Sequence, residues 1–98
     1  MILGTVVGQV VCTQKDPSLL GKKILVVQPL RLDEMKSSGQ PIVALDSIGA
    51  GEGEVVMVVG GSSARFASDF SKTTVDQSIV AIVDSVEIRG SLVFKKGQ

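Results

Sequence analysis

The segment Ile79-Val80-Ala81-Ile82-Val83-Asp84-Ser85-Val86-Glu87-Ile88 decides the fold class. In an extended chain, side chains alternate between two faces. Ile79, Ala81 and Val83 then share one face. Val80, Ile82, Val86 and Ile88 share the other, with Asp84 among them. A strand that is apolar on both faces is covered on both faces. Glu54-Val55-Val56-Met57-Val58-Val59-Gly60 reads the same way: Val56 and Val58 face one side, and Val55, Met57 and Val59 the other. One face can line the inside of a barrel. With almost no helix in the chain, the expected cover for the outer face is a neighbouring subunit. A β-sandwich with a thick core answers the same pattern.

Working outward, the other apolar runs are also short, rich in Val and Ile, and separated by turn residues, an all-β signature. Strands are expected at about Ile2–Thr13, Lys22–Leu30, Ile42–Asp46, Glu54–Gly60 and Ile79–Ile88. A tail strand at Ser91–Lys95 is expected to form a hairpin through Arg89-Gly90. Gly4 and Gly8 lie on one face of the first strand and mark a bend or a close backbone approach, which small barrels need to close; simple tolerance of glycine at an edge answers the same pattern. Ser62–Ala67, after Gly60-Gly61, opens with N-cap residues. Thr74-Val75-Asp76-Gln77 has capping-box spacing. Each predicts one or two helical turns. Ser68–Thr73 is expected to be a loop, and so is Leu32–Gln40, with Ser37-Ser38-Gly39 as its flexible tip.

The chain has 98 residues, which fits one domain over 1–98. Size scaling gives roughly 5,300 Å² of folded surface. Yet 44% of the residues are hydrophobic and the mean hydropathy is +0.38, which is rich for so small a core. Burial in interfaces is the simplest home for the surplus. Ten basic residues balance ten acidic ones, which argues against nucleic acid or an anionic membrane as partner. The only aromatics are Phe66, Phe70 and Phe94, too few for a stacking platform. Cys12 is the single cysteine, so no internal disulfide forms; on a Val-rich strand it is expected to be a small core residue rather than a nucleophile. No apolar stretch approaches the ~20 residues of a membrane helix. No basic region precedes the first apolar run. A cytoplasmic protein is expected.

Candidate chemistry is sparse. There is no histidine, which removes the commonest general base, the Ser-His and Cys-His pairs and most zinc sites. No cofactor, metal or catalytic residue is expected. Gly49-Ala50-Gly51-Glu52-Gly53 invites a nucleotide reading, but a strand follows it where the dinucleotide fingerprint needs a helix. A tight glycine turn at a surface or interface suits it better. Gly60-Gly61-Ser62-Ser63-Ala64-Arg65 could hold an anion on backbone amides and Arg65. It equally suits a capped turn whose Arg65 pairs with a carboxylate across an interface. Asp46, Asp76, Asp84 and Glu87 stand where caps and salt bridges stand.

Several segments together resemble one family, the EutN/CcmL vertex proteins of bacterial microcompartments. They are Gly8-Gln9-Val10-Val11-Cys12-Thr13-Gln14-Lys15-Asp16-Pro17-Ser18-Leu19, Gly21-Lys22-Lys23 running into Ile24-Leu25-Val26-Val27, and Ala44-Leu45-Asp46-Ser47-Ile48-Gly49-Ala50-Gly51-Glu52-Gly53-Glu54. Gly61-Ser62-Ser63-Ala64-Arg65 and Val75–Glu87 complete the set. They cover well over half the chain in the family's order. The resemblance implies a five-stranded OB-like barrel that forms a cyclic homopentamer. Such a pentamer caps the fivefold vertices of a protein shell, packs against hexameric shell proteins and performs no catalysis. It makes Thr13, Gln14, Lys15, Asp16, Pro17 and Gly49, Ala50, Gly51, Glu52, Gly53 the expected contacts with neighbouring shell subunits. Ser62, Ser63 and Arg65 become candidates for the subunit interface or central axis. An OB-type module for a small ligand or nucleic acid is the alternative.

Overall fold

The computed structural model describes residues 1–14, 17–19, 21–61 and 76–97. The strands are β1 (Ile2–Val10), β2 (Lys23–Arg31), β3 (Lys36–Ser37), β4 (Ile42–Asp46), β5 (Val55–Gly60), β6 (Gln77–Ile82), β7 (Ser85–Ile88) and β8 (Ser91–Lys95). Five of them run in the order β1-β5-β6-β4-β2, and β2 pairs back to β1. The sheet therefore closes on itself as a five-stranded barrel, which removes its edges. β4–β6 is the one parallel pairing among the described strands, and it is short, Leu45 to Ser78 and Asp46 to Ile79.

Closure depends on β1 serving two neighbours. Its first half pairs with β5 from Ile2↔Val58 to Thr5↔Val55. It also pairs with β2 from Gly4↔Pro29 to Val10↔Ile24, with a bulge between Val6 and Gly8. A bulge bends a strand and increases its twist. Gly4 sits where the strands crowd: a Cβ there would run into the Val27 side chain and stand 2.8 Å from the Gln28 carbonyl oxygen. Gly8 only flanks the bulge, where a Cβ would meet Val26 at an ordinary 3.8 Å.

The barrel is filled by Val6, Leu25, Val27, Ala44, Ala50, Val56, Val58 and Ile79, with Ile42 and Ile82 packed against them. Each fully buried Val or Ile contributes about 1.5–3 kcal/mol. β5 is buried on both faces, at Val55 and Val59 as well as Val56 and Val58; at Val55 and Val59 the cover expected from a neighbouring subunit is therefore already supplied within the single chain, and of that face Met57 alone is left half-buried.

Several expectations need correction. The first strand stops at Val10, leaving Val11 and Cys12 exposed, so Cys12 is not the core residue expected: it lies past the end of the strand that would have carried it inward. The run expected as one strand from Ile79 to Ile88 is two. The Val83 N–H still donates to the Val55 carbonyl at 2.7 Å, but the Asp84 carbonyl accepts from the Lys96 N–H at 2.8 Å. The chain changes partner between these residues, and β7 pairs with β8 alone. Gln77 is not in a helical turn; it lies in β6 opposite Gly60, where a cross-strand ladder outcompetes local capping. Thr74 and Val75 lie outside the described residues, as do the helical turn expected at Ser62–Ala67 and the loop at Ser68–Thr73. A 3-10 turn does occur at Pro17–Leu19. The expected flexible tip at Ser37-Ser38-Gly39 is tied down instead. Ser37 pairs with Leu30, the Ser38 N–H donates to the Pro29 carbonyl at 2.9 Å, and the Gln28 amide donates to the Gly39 carbonyl at 3.1 Å.

Candidate functional site

Both loops singled out in the sequence leave the same end of the barrel. Val10 pairs with Ile24 at the end of β1, and Lys23 pairs with Asp46 at the end of β4. The β1–β2 connection and the β4–β5 connection therefore emerge side by side. Thr13, Gln14 and Pro17 of the first are exposed. Lys15 and Asp16 lie outside the described residues, and so do Ser62, Ser63 and Arg65.

The Gly49–Gly53 loop is built around Asp46, a residue only 2% exposed. One carboxylate oxygen accepts the Ile48 N–H at 3.1 Å, and the other accepts the Ala50 N–H at 3.0 Å. The Lys23 ammonium donates to the Ala50 carbonyl at 3.1 Å. Beyond Ala50, Glu54 takes over: its carboxylate accepts the Gly51 N–H at 2.7 Å. The Gly53 N–H donates to the Val6 carbonyl at 2.8 Å, and the Val6 N–H donates to the Glu54 carbonyl at 2.9 Å. Gly49 and Gly53 have φ of 88° and 90°, a region that only glycine enters at little cost. The loop is thus stitched to three strands and holds one shape before any partner arrives.

One expected contact residue faces the wrong way. Ala50 is fully buried and belongs to the core, because Asp46 and Lys23 pin its peptide groups and turn its methyl into the barrel mouth. What the loop offers outward is Gly49, Glu52 and Gly53, with Ile48 beside them at 40% exposed. The sequence placed Asp46 among capping carboxylates. It gave no role to Lys23 or Glu54; the signal available for Glu54 was an acid three residues after Gly51, the spacing at which a side chain closes a turn on its own backbone.

Glu54 also reaches outward. Its second oxygen accepts from the Lys96 ammonium at 2.9 Å, which joins the loop to the segment just past β8. The Lys96 hydrogen bond, then the Gly51 N–H, hold the Glu54 carboxyl below the usual carboxylate range. In return Glu54 raises the Lys96 ammonium above its usual value. Among the described residues no cluster of His, Cys, Asp and Glu could hold a metal ion, and no helix is long and apolar enough to cross a membrane.

The outer wall of the barrel stays greasy. Leu3 and Met57 pair across β1 and β5. With Met1, Ile2, Leu30 and Leu32 they line an open groove of 470 Å³. Val43, at 52% exposed, adds apolar surface on β4.

The model for the family described as ethanolamine utilisation protein EutN/carboxysome matches residues 1–84. The chain belongs to the EutN/CcmL family. Within it, the chain is 45% identical over 87 residues to the bacterial microcompartment shell vertex protein GrpN of Rhodospirillum rubrum, covering 89% of this chain and 97% of GrpN. It is 44% identical over 96 residues to the shell vertex protein EutN of Salmonella typhimurium, covering 98% and 96%. The solved structure of Gloeobacter violaceus CcmL superposes with a TM-score of 0.93 over all of both chains at 35% identity. That of GrpN, described as a pentameric microcompartment shell protein, superposes with 0.81 over 90% of this chain and 99% of GrpN. The EutN/CcmL barrel is therefore common to chains that share between a third and a half of their residues.

Proposed function

We propose that this chain is a structural vertex protein of a bacterial microcompartment shell, not an enzyme. Five copies form a closed ring, the ring caps a shell vertex within the cytoplasm, and the whole of residues 1–98 acts as one domain in it. The observation that carries this reading is an apolar barrel whose outer wall stays partly exposed in the single chain, at Ile2, Leu32 and Val43, in a family whose relatives are named shell vertex proteins and include a pentamer. A ring conceals such a wall by packing unlike surfaces of successive copies.

Within the ring, the end carrying the 13–17 and 49–53 loops is the edge presented to hexameric shell proteins. Gly49 and Gly53 permit close approach, Ile48 adds an apolar contact, and Glu52 sets register by charge. Ser62, Ser63 and Arg65 remain candidates for the contact between copies or the central axis. Native mass spectrometry tests the ring: the expected species is five times the 10.2 kDa chain. A lone chain at every concentration overturns it. For the edge, Ile48→Asp is expected to leave the ring whole and to abolish its co-assembly with a hexameric shell protein; unchanged co-assembly overturns that placement.

A further inference from the structure

The β7–β8 hairpin is the one described part of the sheet structure that pairs with no barrel strand. It also lies beyond residues 1–84, the part matched by the family model. Its turn is well made: Arg89 and Gly90 both have positive φ, 53° and 78°, as a type I′ hairpin turn requires. Yet a two-stranded hairpin alone is marginal in water. Val86 and Phe94 stand opposite each other and are only half-buried; Leu92, opposite Glu87, is 55% exposed. The root is fixed, through Lys96 to Asp84 and Glu54, so the hairpin is held out and lacks cover among the described residues.

The groove around Leu3 and Met57 is a surface with the opposite need. Among the described residues it is lined from Met1, β1, β2, β5 and Leu32 alone, and the chain's own hairpin does not enter it. A ring of more than two copies needs two different surfaces on each chain, one to give and one to receive. We propose that the β7–β8 hairpin of each copy lies across the Leu3–Met57 groove of the next copy around the ring, with Leu92 against Leu32. This rests on the ring reading above. Charge permits the approach. The hairpin tip carries Glu87 and Arg89; the segment that supplies Leu30 and Leu32 to the groove also carries the pairs Arg31 with Asp33 at 3.3 Å and Lys36 with Glu34 at 3.7 Å. Balanced signs on both sides meet no net repulsion. The hairpin acts as a strap that strengthens a ring of barrels.

The test uses Leu92→Asp and Leu32→Lys, both at side chains exposed in the single chain, singly and together, with far-UV circular dichroism to confirm the fold. Each alone is expected to raise the concentration at which the ring half-dissociates about tenfold, the size of a single well-packed contact. The pair of opposite charges is expected to recover most of that loss. In a Cys12→Ser background, Leu32→Cys with Leu92→Cys should give a ladder of interchain disulfides on oxidation, and either alone should not. If the wild-type ring forms but neither charge variant weakens it, or the double-cysteine chain gives no ladder or links only within itself, the strap is wrong and the ring stands. A hairpin variant that spares the ring but blocks binding to hexamers also overturns it. A wild-type chain that never forms a ring removes the reading underneath.

Discussion

A single hydrogen atom decides Gly4. Replacing it with a methyl group drives a carbon into Val27 and toward the Gln28 carbonyl, at the strand junction where the barrel closes. Gly4→Ala is expected to cost about 1–3 kcal/mol, the usual price of overpacking, read as a lower urea midpoint. Gly8→Ala, with a clear 3.8 Å, should change the midpoint far less; equal losses would dismiss the crowding argument. The sequence marked both glycines as bend or close approach, but spacing cannot say which is which. That depends on which strand lies opposite, and β1's bulge moves Gly8 out of the crowded position. Ala50 was misjudged for a related reason. A small residue between two glycines looks like surface, and only the buried Asp46 carboxylate reveals that its methyl points inward.

At the level of elements, strands whose character is local were legible. β4 and β8 fall where their Val, Ile and Leu runs end, and the Arg89-Gly90 turn is where its residue types put it. The break at Val83–Asp84 was not legible, since both flanks read as strand and the change of partner is a long-range choice. The tie between Glu54 and Lys96 is equally non-local, and it is testable by pH. Glu54 is held below its ordinary value, so its contribution to stability is present above about pH 4.3, the unfolded value. It is lost as pH falls through the lower folded value. Lys96 is raised, so its share is full below about pH 10.4 and is lost as pH climbs through the folded value. In denaturation midpoints measured from pH 7 down to pH 3, Glu54→Gln should be weaker than wild type at neutral pH and converge with it in acid. The gap is expected to be small because the pair is exposed; a constant gap would disprove the linkage. In the hairpin turn, Arg89 pays for a left-handed backbone. Arg89→Gly should slow hydrogen exchange of the β7–β8 amides a few-fold, the reverse of the result if that turn were unstrained.

For the molecule as a whole, size and surface disagree in an informative way. The folded chain exposes 6088 Å² against the roughly 5,300 Å² expected of a compact chain of this length. It measures 44 Å along its long axis and 24 and 23 Å across it. Part of the exposed surface is apolar, at Ile2, Leu32, Val43 and Leu92; association that covers it stabilises the fold and makes unfolding depend on mass action. The thermal midpoint is therefore expected to rise with protein concentration over a hundredfold series; a midpoint independent of concentration would mean that folding and assembly are uncoupled. Composition already pointed to such an interface, because 44% hydrophobic residues exceed what one small core absorbs. It could not say where the interface lies, since that depends on which side chains the closed barrel leaves outside.

The strand order carries a consequence for biosynthesis. β6 is the keystone between β5 and β4, and it is the last barrel strand to leave the ribosome. Some 56 residues separate Ile2 from its partner Val58, about 3–11 s of translation at ordinary speeds. Through that interval and until β6 follows, the nascent chain carries bare strand margins able to pair with any other nascent chain nearby. Polysomes making this protein are places where chaperone protection should matter most, before any shell exists to receive it.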